Sequence, residues 1–345
     1  MYLSVLLNPN AGGVAHGYGF KRAMERVCKD QGIRYDFLTS FEPDLIPSNA
    51  IIACCGGDGT VSLLIQKMCQ LRVSRPFCVV PLGTGNDFAR ATGWYNVWKY
   101  WGVEGVITGI RASKCDTLDV WGLEGKGGYE TRFCAYMGLG ADGEILRVYE
   151  RLATRLRCLT LSAGQKRLYH VVAALIFLCS KGLSMWTRHN MPIEVSSPDG
   201  LFRERVKLGI GECLVFSNIE YYLGGMKLLD TAFFNDGQIE LTHIKGLLSL
   251  ALKGRLRRKK GVNALLDRMG RFGSLLIDVP KGIFAEIDGE PLGHLAPGCY
   301  TIGLDASLPI LIPPKYLLAK ERATGHEILK KKETGKIFAP EPSFY

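Results

Sequence analysis

No Cys-x-x-Cys pair occurs among the eleven cysteines of this 345-residue chain. Scattered as they are, with Cys54-Cys55 inside an apolar run, they indicate neither a zinc site nor a disulfide framework and read as reduced core residues. Long hydrophobic runs are missing as well. The longest, Val171 to Cys179, stops at Lys181-Gly182, well short of the roughly 20 residues that span a bilayer, which excludes an integral membrane protein. The opening run Tyr2 to Leu7 meets Asn8-Pro9 without a basic n-region or a cleavage site, so no export signal is expected and a cytoplasmic location follows. The six histidines are dispersed and carry no assigned chemistry. No internal repeat is evident. Nothing reads as disordered before the tail from Lys330-Lys331-Lys332 to Tyr345, which is expected to be mobile.

What the chain has is size, apolar content and positive charge. At 345 residues and 47% hydrophobic it exceeds what one small core organises, so two domains are expected. A net charge of +10 favours an anionic partner, nucleic acid or a phospholipid surface. Arg147, Arg151, Arg155, Arg157, Lys166 and Arg167 alternate with Leu146, Leu152, Leu156 and Leu159, and Arg255 to Lys260 follow the apolar Leu247 to Leu252. Basic residues beside apolar ones suit a membrane interface; the alternative is ordinary solvated helix faces.

Two glycine-rich loops stand out, Gly56-Gly57-Asp58-Gly59-Thr60 and Pro81-Leu82-Gly83-Thr84-Gly85-Asn86-Asp87, each after an apolar strand-like run and before a helix. At the carboxyl edge of a parallel sheet they suit phosphate: glycine permits positive φ and close approach of N–H groups, and the helix dipole favours the anion. Asp58 adds a carboxylate at the rim. For Asp58, Thr60, Asn86 and Asp87 the competing reading is helix capping.

The coarse pattern is strand, loop and helix three times over: strands Tyr2 to Leu7, Arg34 to Thr39, Ile51 to Cys55 and Pro76 to Val80, with helices over Phe20 to Gln31 and Val61 to Cys69. After about Lys114 the pattern turns to strands split by turns, at Asp116 to Trp121, Thr131 to Met137, Ile193 to Val195, Arg205 to Phe216, Gln238 to His243, Leu275 to Val279, Ile283 to Ile287 and Cys299 to Leu304. Turn chemistry is explicit at Pro198-Asp199-Gly200, Asn235-Asp236-Gly237 and Asp288-Gly289-Glu290. The second of these reads first as a plain hairpin and second as a structural cation site at Asp236. This half is expected to be mostly antiparallel, with a helical insertion over about 144–188.

With Asn8-Pro9 and Gly12-Gly13 ahead of them, and with Gly224-Gly225-Met226, Asn235-Asp236-Gly237 and Ile287-Asp288-Gly289-Glu290 after them, the loops form an ordered set. Over about residues 1–318 the chain resembles the diacylglycerol kinase catalytic family, particularly its compact bacterial-type lipid kinases. The resemblance implies an α/β plus β architecture: a three-layer α/β ATP-binding domain over 1–113, completed by about 314–330, then a β-sandwich lipid-acceptor domain over 114–313, with the active site in the cleft between. The period change near Lys114 agrees with that division. The resemblance further implies ATP and Mg²⁺ as cofactors. Asn8, Thr39, Gly57, Thr60, Gly83, Thr84, Gly85 and Asn86 would line the ATP cleft beside Gly56 and Gly59, with Lys21 or Arg22 near the phosphates and Asp116 near the nucleotide. Asp58 would act through Mg²⁺ or orient the hydroxyl, and Asp288 or Glu290 would deprotonate it, with Glu290 also a metal candidate. The chain departs from its relatives at Ala135, where many carry Asn, and in the loop after Asn10, which lacks their basic residue. It also lacks the Cys/His-rich lipid-sensing modules and calcium loops of the larger animal enzymes.

The expected reaction is transfer of the γ-phosphate of ATP to diacylglycerol or a similar lipid alcohol, giving phosphatidic acid. The expected partners are the lipid and an anionic membrane surface, with peripheral association, no nucleic acid, and homodimerisation left open. Gly-Gly-Asp-Gly-Thr favours a glycerolipid over a sphingoid acceptor. Because Gly-Gly-Asp-Gly also occurs in NAD kinases and phosphofructokinases, a soluble-substrate kinase of the NAD kinase type is the second reading. An inert nucleotide- or membrane-binding module is the third.

Overall fold

The computed structural model describes residues 1–8, 14–83, 85–125, 130–155, 191–247, 249–250 and 262–318. Its first part runs β1 (Tyr2–Leu7), α1 (Val14–Asp30), β2 (Arg34–Leu38), β3 (Ala50–Gly56), α2 (Asp58–Gln70), β4 (Phe77–Pro81), α3 (Asp87–Ala91) and α4 (Trp94–Ala112). The strands pair in the order β2-β1-β3-β4, all parallel. They are apolar runs because helices shield the sheet: Leu3, Val5, Ile52, Ala53, Cys54, Cys55 and Phe77 to Val80 are all buried. Burial pushes the Cys54 thiol up to about 12, consistent with an inert core residue. Parallel pairing brings the carboxyl ends of β1, β3 and β4 to one edge, and the two glycine loops emerge there.

The second part is antiparallel. It comprises β5 (Lys114–Gly125), β6 (Glu130–Phe133), β7 (Tyr136–Gly140), α5 (Ala141–Arg155), β8 (Met191–Ser196), β9 (Arg203–Leu208), β10 (Cys213–Ser217), β11 (Tyr221–Tyr222), β12 (Met226–Lys227), β13 (Ile239–Ile244), β14 (Leu266–Phe272), β15 (Ser274–Val279), β16 (Ile283–Ile287), β17 (Glu290–Leu295) and β18 (Gly298–Ile312). One sheet is β14-β13-β10-β7-β16-β17; the other joins β5, β18, β15, β8 and β9, with β6 on β5. Trp121, Phe133, Met137, Phe216, Leu241 and Ile302 come from both sheets and share one core. The long β18 belongs to both parts: it pairs with β15 over Gly298 to Gly303, with β5 along its length, and reaches β4 at Ile310. Just beyond it Leu317 is buried, and the Trp94 indole donates to the Leu311 carbonyl at 2.7 Å.

The mixed α/β class therefore holds, and the helices begin earlier than their apolar periodicity suggested. Two expected strands are each broken in two. Thr131 to Met137 parts at Cys134-Ala135, whose amides are turned toward a carboxylate. Arg205 to Phe216 parts at a turn where Gly211 takes φ 77°. Asn235-Asp236-Gly237 is no hairpin, because β12 and β13 lie in different sheets. Of the helical insertion, α5 is described; residues 156–190, the basic run 255–260, the apolar run 171–179 and the tail lie outside the described residues. Among the described residues no helix is long and apolar enough to cross a membrane.

Candidate active site

The two glycine loops meet backbone to backbone. A Cβ on Gly57 would come within 3.1 Å of Gly83 Cα, and one on Gly83 would overlap Gly57 Cα. None of Gly56, Gly57, Gly59, Gly83 and Gly85 has positive φ. This corrects the expectation that these glycines serve a left-handed turn: they are glycines because neighbours press on them. Gly56 lies under the Thr60 side chain and Gly85 against Asp58 Oδ2. Asn86 is the residue in the left-handed region, φ 58°, and its buried amide clamps the second loop. It accepts from Gly83 N–H at 3.1 Å and donates to Gly83 O at 2.7 Å. Asn8, at the end of β1, donates to Thr60 Oγ1 at 2.9 Å. Among the described residues no side chain caps α2, whose N-cap is Gly57; Thr60 N–H turns back to Gly57 O at 3.0 Å, which leaves the Asp58 and Gly59 amides to face a phosphate.

Asp58 opens α2 yet caps a different helix. Its carboxylate accepts from Asp87 N–H at 2.9 Å and Phe88 N–H at 3.1 Å, the first amides of α3. It is therefore not a free carboxylate at the rim and, contrary to the capping alternative, it does not cap the helix it opens. Burial and then the Asp87 charge push its carboxyl up to about 7, against those two amides, which pull it down. Asp87 itself is 1% exposed and accepts from Tyr136 Oη at 3.3 Å and Gly224 N–H at 2.9 Å. That last bond ties the second loop to the Gly224-Gly225 segment, and Arg90 lies between Gly225 and the Tyr95 ring, 3.5 Å from the ring centroid.

The tip Asp288-Gly289 joins β16 to β17 as a two-residue turn with both φ positive, 51° and 81°. A non-glycine residue in that region costs about 1–3 kcal/mol. The Asp288 side chain offsets it. Its Oδ1 accepts from the amides of Cys134 (3.2 Å), Ala135 (2.8 Å) and Tyr136 (3.2 Å), the residues at which the expected strand breaks. Ala135 thus contributes through its backbone. Burial still raises the Asp288 carboxyl, in opposition to these amides. Glu290, the next residue after the turn, is exposed and reaches over α2: a Cβ on Gly59 would collide with its Oε1. Though the residue as a whole is exposed, its carboxyl lies close among neighbouring groups, and that burial, then Glu150 and Asp288, raises it.

Gly57, Asp58, Gly59, Thr60, Gly83, Gly85, Asn86 and Asn8 are thus brought together with Asp288 and Glu290. Thr84 lies outside the described residues. Thr39 is exposed just past the end of β2, on the carboxyl edge, and Lys21 lies 5.0 Å from the centroid of the Phe37 ring, with Arg22 exposed beside it. Asp116 is placed elsewhere. It stands opposite Ile310, which pairs with Phe77 at the start of β4, so it lies toward the sheet end opposite the loops. Its carboxylate accepts from Asn235 Nδ2 at 3.1 Å, and Asp119 Oδ2 accepts from Gly237 N–H at 2.7 Å. Asp236 pairs with Arg271. Among the described residues no three His, Cys, Asp or Glu side chains are grouped to hold a metal by themselves. The acids near the loops suit Mg²⁺ in the usual way for nucleotide sites, one or two carboxylates completed by phosphates. Sequence spacing did not single out Tyr136, because nothing in a buried strand marks its hydroxyl for Asp87.

Residues 2–120 match the diacylglycerol kinase catalytic domain. The resemblance read from the motifs is thereby shown. Diacylglycerol kinase zeta of Rattus norvegicus is 25% identical over 271 residues, which cover 70% of this chain and 28% of that protein. Diacylglycerol kinase 1 of Drosophila melanogaster is 32% identical over 132 residues, 35% of this chain and 10% of that one. The chain spans less than a third of the length of these relatives. A diacylglycerol kinase from Bacillus anthracis shares the fold, with TM-score 0.55, 16% identity, and coverage of 92% of this chain and 97% of that one. Both glycine loops fall inside the diacylglycerol kinase match. The Asp288 tip lies beyond it and reaches the loops only through the fold.

Proposed function

We propose that the protein is an ATP-dependent lipid kinase that transfers the γ-phosphate of Mg-ATP to the hydroxyl of diacylglycerol or a similar lipid alcohol, giving phosphatidic acid or its analogue. The observation that carries this reading is the convergence of three separate segments: two glycine loops in backbone contact, and a carboxylate-bearing tip from the second sheet with Glu290 over Gly59. Phosphoryl transfer needs positioned phosphates, a cation and a proton acceptor, and little covalent chemistry from the protein. The Asp58 and Gly59 amides at the start of α2, which no side chain caps among the described residues, are the donors that would meet phosphate. Asp58 and Glu290 are the carboxylates that would share Mg²⁺, which supplies charge neutralisation at the transferring group. The tip takes the hydroxyl proton. Its two carboxylates differ: Asp288 is anchored by three amides and fixes the turn, whereas Glu290 is exposed toward the loops. The reaction site then lies between the two parts of the molecule. The lipid enters from a membrane surface with which the protein associates peripherally.

The test is transfer of labelled γ-phosphate from Mg-ATP to a lipid panel in mixed micelles, with NAD in a parallel tube. Label in a lipid supports the reading and names the acceptor. Label in NAD, or bound ATP with no labelled product, overturns it. Glu290→Gln and Asp288→Asn then divide the tip. A collapse of kcat with unchanged melting that raised Mg²⁺ does not relieve marks the proton acceptor, and a lowered melting temperature marks the anchor.

A further inference from the structure

Behind the tip lies a deeper pair of acids that the transfer reading does not use. Glu286 on β16 is 1% exposed and Asp142 at the start of α5 is 4%. Both reach over Gly138: a Cβ there would run into Asp142 Oδ2 and come 3.0 Å from Glu286 Oε1. The two carboxyl groups occupy the space that the absent side chain leaves. Asp142 is held by Tyr222 Oη, which donates to Oδ2, the oxygen over Gly138, and by Gly143 N–H, which donates to Oδ1, each at 2.8 Å. Glu286 faces the tip. Its Oε2 accepts from Gly289 N–H at 2.9 Å, inside the turn that presents Asp288 and Glu290, while Oε1 is buried with no donor among the described residues.

Two anions side by side in a site closed to water are costly, and an orphaned carboxylate oxygen adds to that cost. One proton removes both costs. Burial, then Asp142, drives the Glu286 carboxyl well above the usual range, and burial pushes Asp142 up to about 6. The groups that face Glu286 are Asp142 on α5, Tyr136 on β7, Cys213 on β10, Tyr222 on β11, and Asp288 and Glu290 on its own hairpin. The other charges of α5 nearby are Glu150, which acts on Glu290, and Arg147, whose guanidinium lies over the Phe284 ring.

We propose that Glu286 and Asp142 share one proton as a hydrogen-bonded carboxyl–carboxylate pair, and that this pair braces the Asp288-Gly289-Glu290 turn through the Gly289 amide. Glu286 is then a positioning residue. Its effect on turnover rests on the kinase reading; its effect on stability does not.

Glu286→Gln keeps a carbonyl for Gly289 and an NH₂ to donate to Asp142, so it imitates the protonated pair at every pH. A carboxyl whose folded pKa is raised stays protonated in the native state while the unfolded chain ionises. Wild-type stability therefore falls as pH rises above the ordinary carboxylate range, and the Gln variant loses the part of that fall that Glu286 contributes, leaving the part due to Asp58. In the lipid transfer assay Glu286→Ala loses kcat at least about tenfold, the scale of a misplaced catalytic group. Glu286→Gln rescues it at neutral pH and carries activity further into the alkaline range. Melting curves of wild type and Glu286→Gln with the same pH dependence overturn the shared proton. A folded Glu286→Ala with wild-type kcat overturns the brace. If wild type phosphorylates no lipid, the kinase reading has failed, and the melting comparison alone decides the pair.

Discussion

Gly59→Ala is the sharpest perturbation that the site offers. The added methyl lands on Glu290 Oε1, the far end of a flexible side chain, and not on backbone. Gly59 lies in the first turn of α2 with no positive φ, so alanine gains up to about 1 kcal/mol of helix propensity there. Moving Glu290 to another rotamer costs about 0.5–1.5 kcal/mol. The two nearly cancel, and the melting temperature should stay within about 4 °C of wild type. Activity should not survive so well. Displacement of a catalytic group by an ångström costs on the order of 10²-fold, and loss of a proton acceptor about 10²–10⁴-fold. Transfer to diacylglycerol from Mg-ATP, measured beside thermal unfolding, should show kcat down about a hundredfold or more with folding intact. A Gly59→Ala protein with wild-type kcat would show that Glu290 has no business over α2 and would refute the convergence argument.

Gly83→Ala behaves differently, because its methyl meets the Gly57 backbone, which cannot rotate away. Overpacking of about 1–3 kcal/mol should lower the melting temperature by several degrees and abolish ATP binding measured by calorimetry. Asp58→Asn tests electrostatics: with its folded value near 7, Asp58 makes the native state lose stability as pH rises from about 4 to 7. The full shift corresponds to about 4 kcal/mol, and about 1–3 kcal/mol is expected of a half-buried group coupled to Asp87. The Asn variant should flatten that slope in melting curves; an unchanged slope would remove Asp58 as its source. Asp58→Ala, by contrast, orphans the Asp87 and Phe88 amides, so it should lose about 1–3 kcal/mol in denaturant titration as well as activity.

Much of the site was legible because its chemistry is local. A glycine loop after a buried strand and before a helix is a phosphate-binding pattern wherever it occurs, and parallel pairing then obliges two such loops to share an edge. What could not be read was anything set by contact between distant segments. The spacing of Asp58 allows a cap for α2 and gives no hint that it caps α3. Cys134-Ala135 looks like strand interior, and only the Asp288 carboxylate explains the break. Asp116 is charged and lies in a strand next to the first domain, yet the β5 register carries it away from the loops. Strand β14 escaped notice because its sequence, Leu266 to Phe272, buries only Leu266 and has no apolar alternation.

The path of β18 limits how this molecule can be divided. The last strand meets β4 at Ile310 and, through β15 and β5, joins the parallel strands to the antiparallel ones. A fragment of residues 1–113 would contain both glycine loops and still leave the flank of β4 bare, a row of unpaired amides and carbonyls beside an apolar strand. Such a fragment should self-associate instead of binding nucleotide. Chain cuts that preserve the loops but discard residues beyond 300 are therefore poor reagents for studying the isolated phosphate cradle.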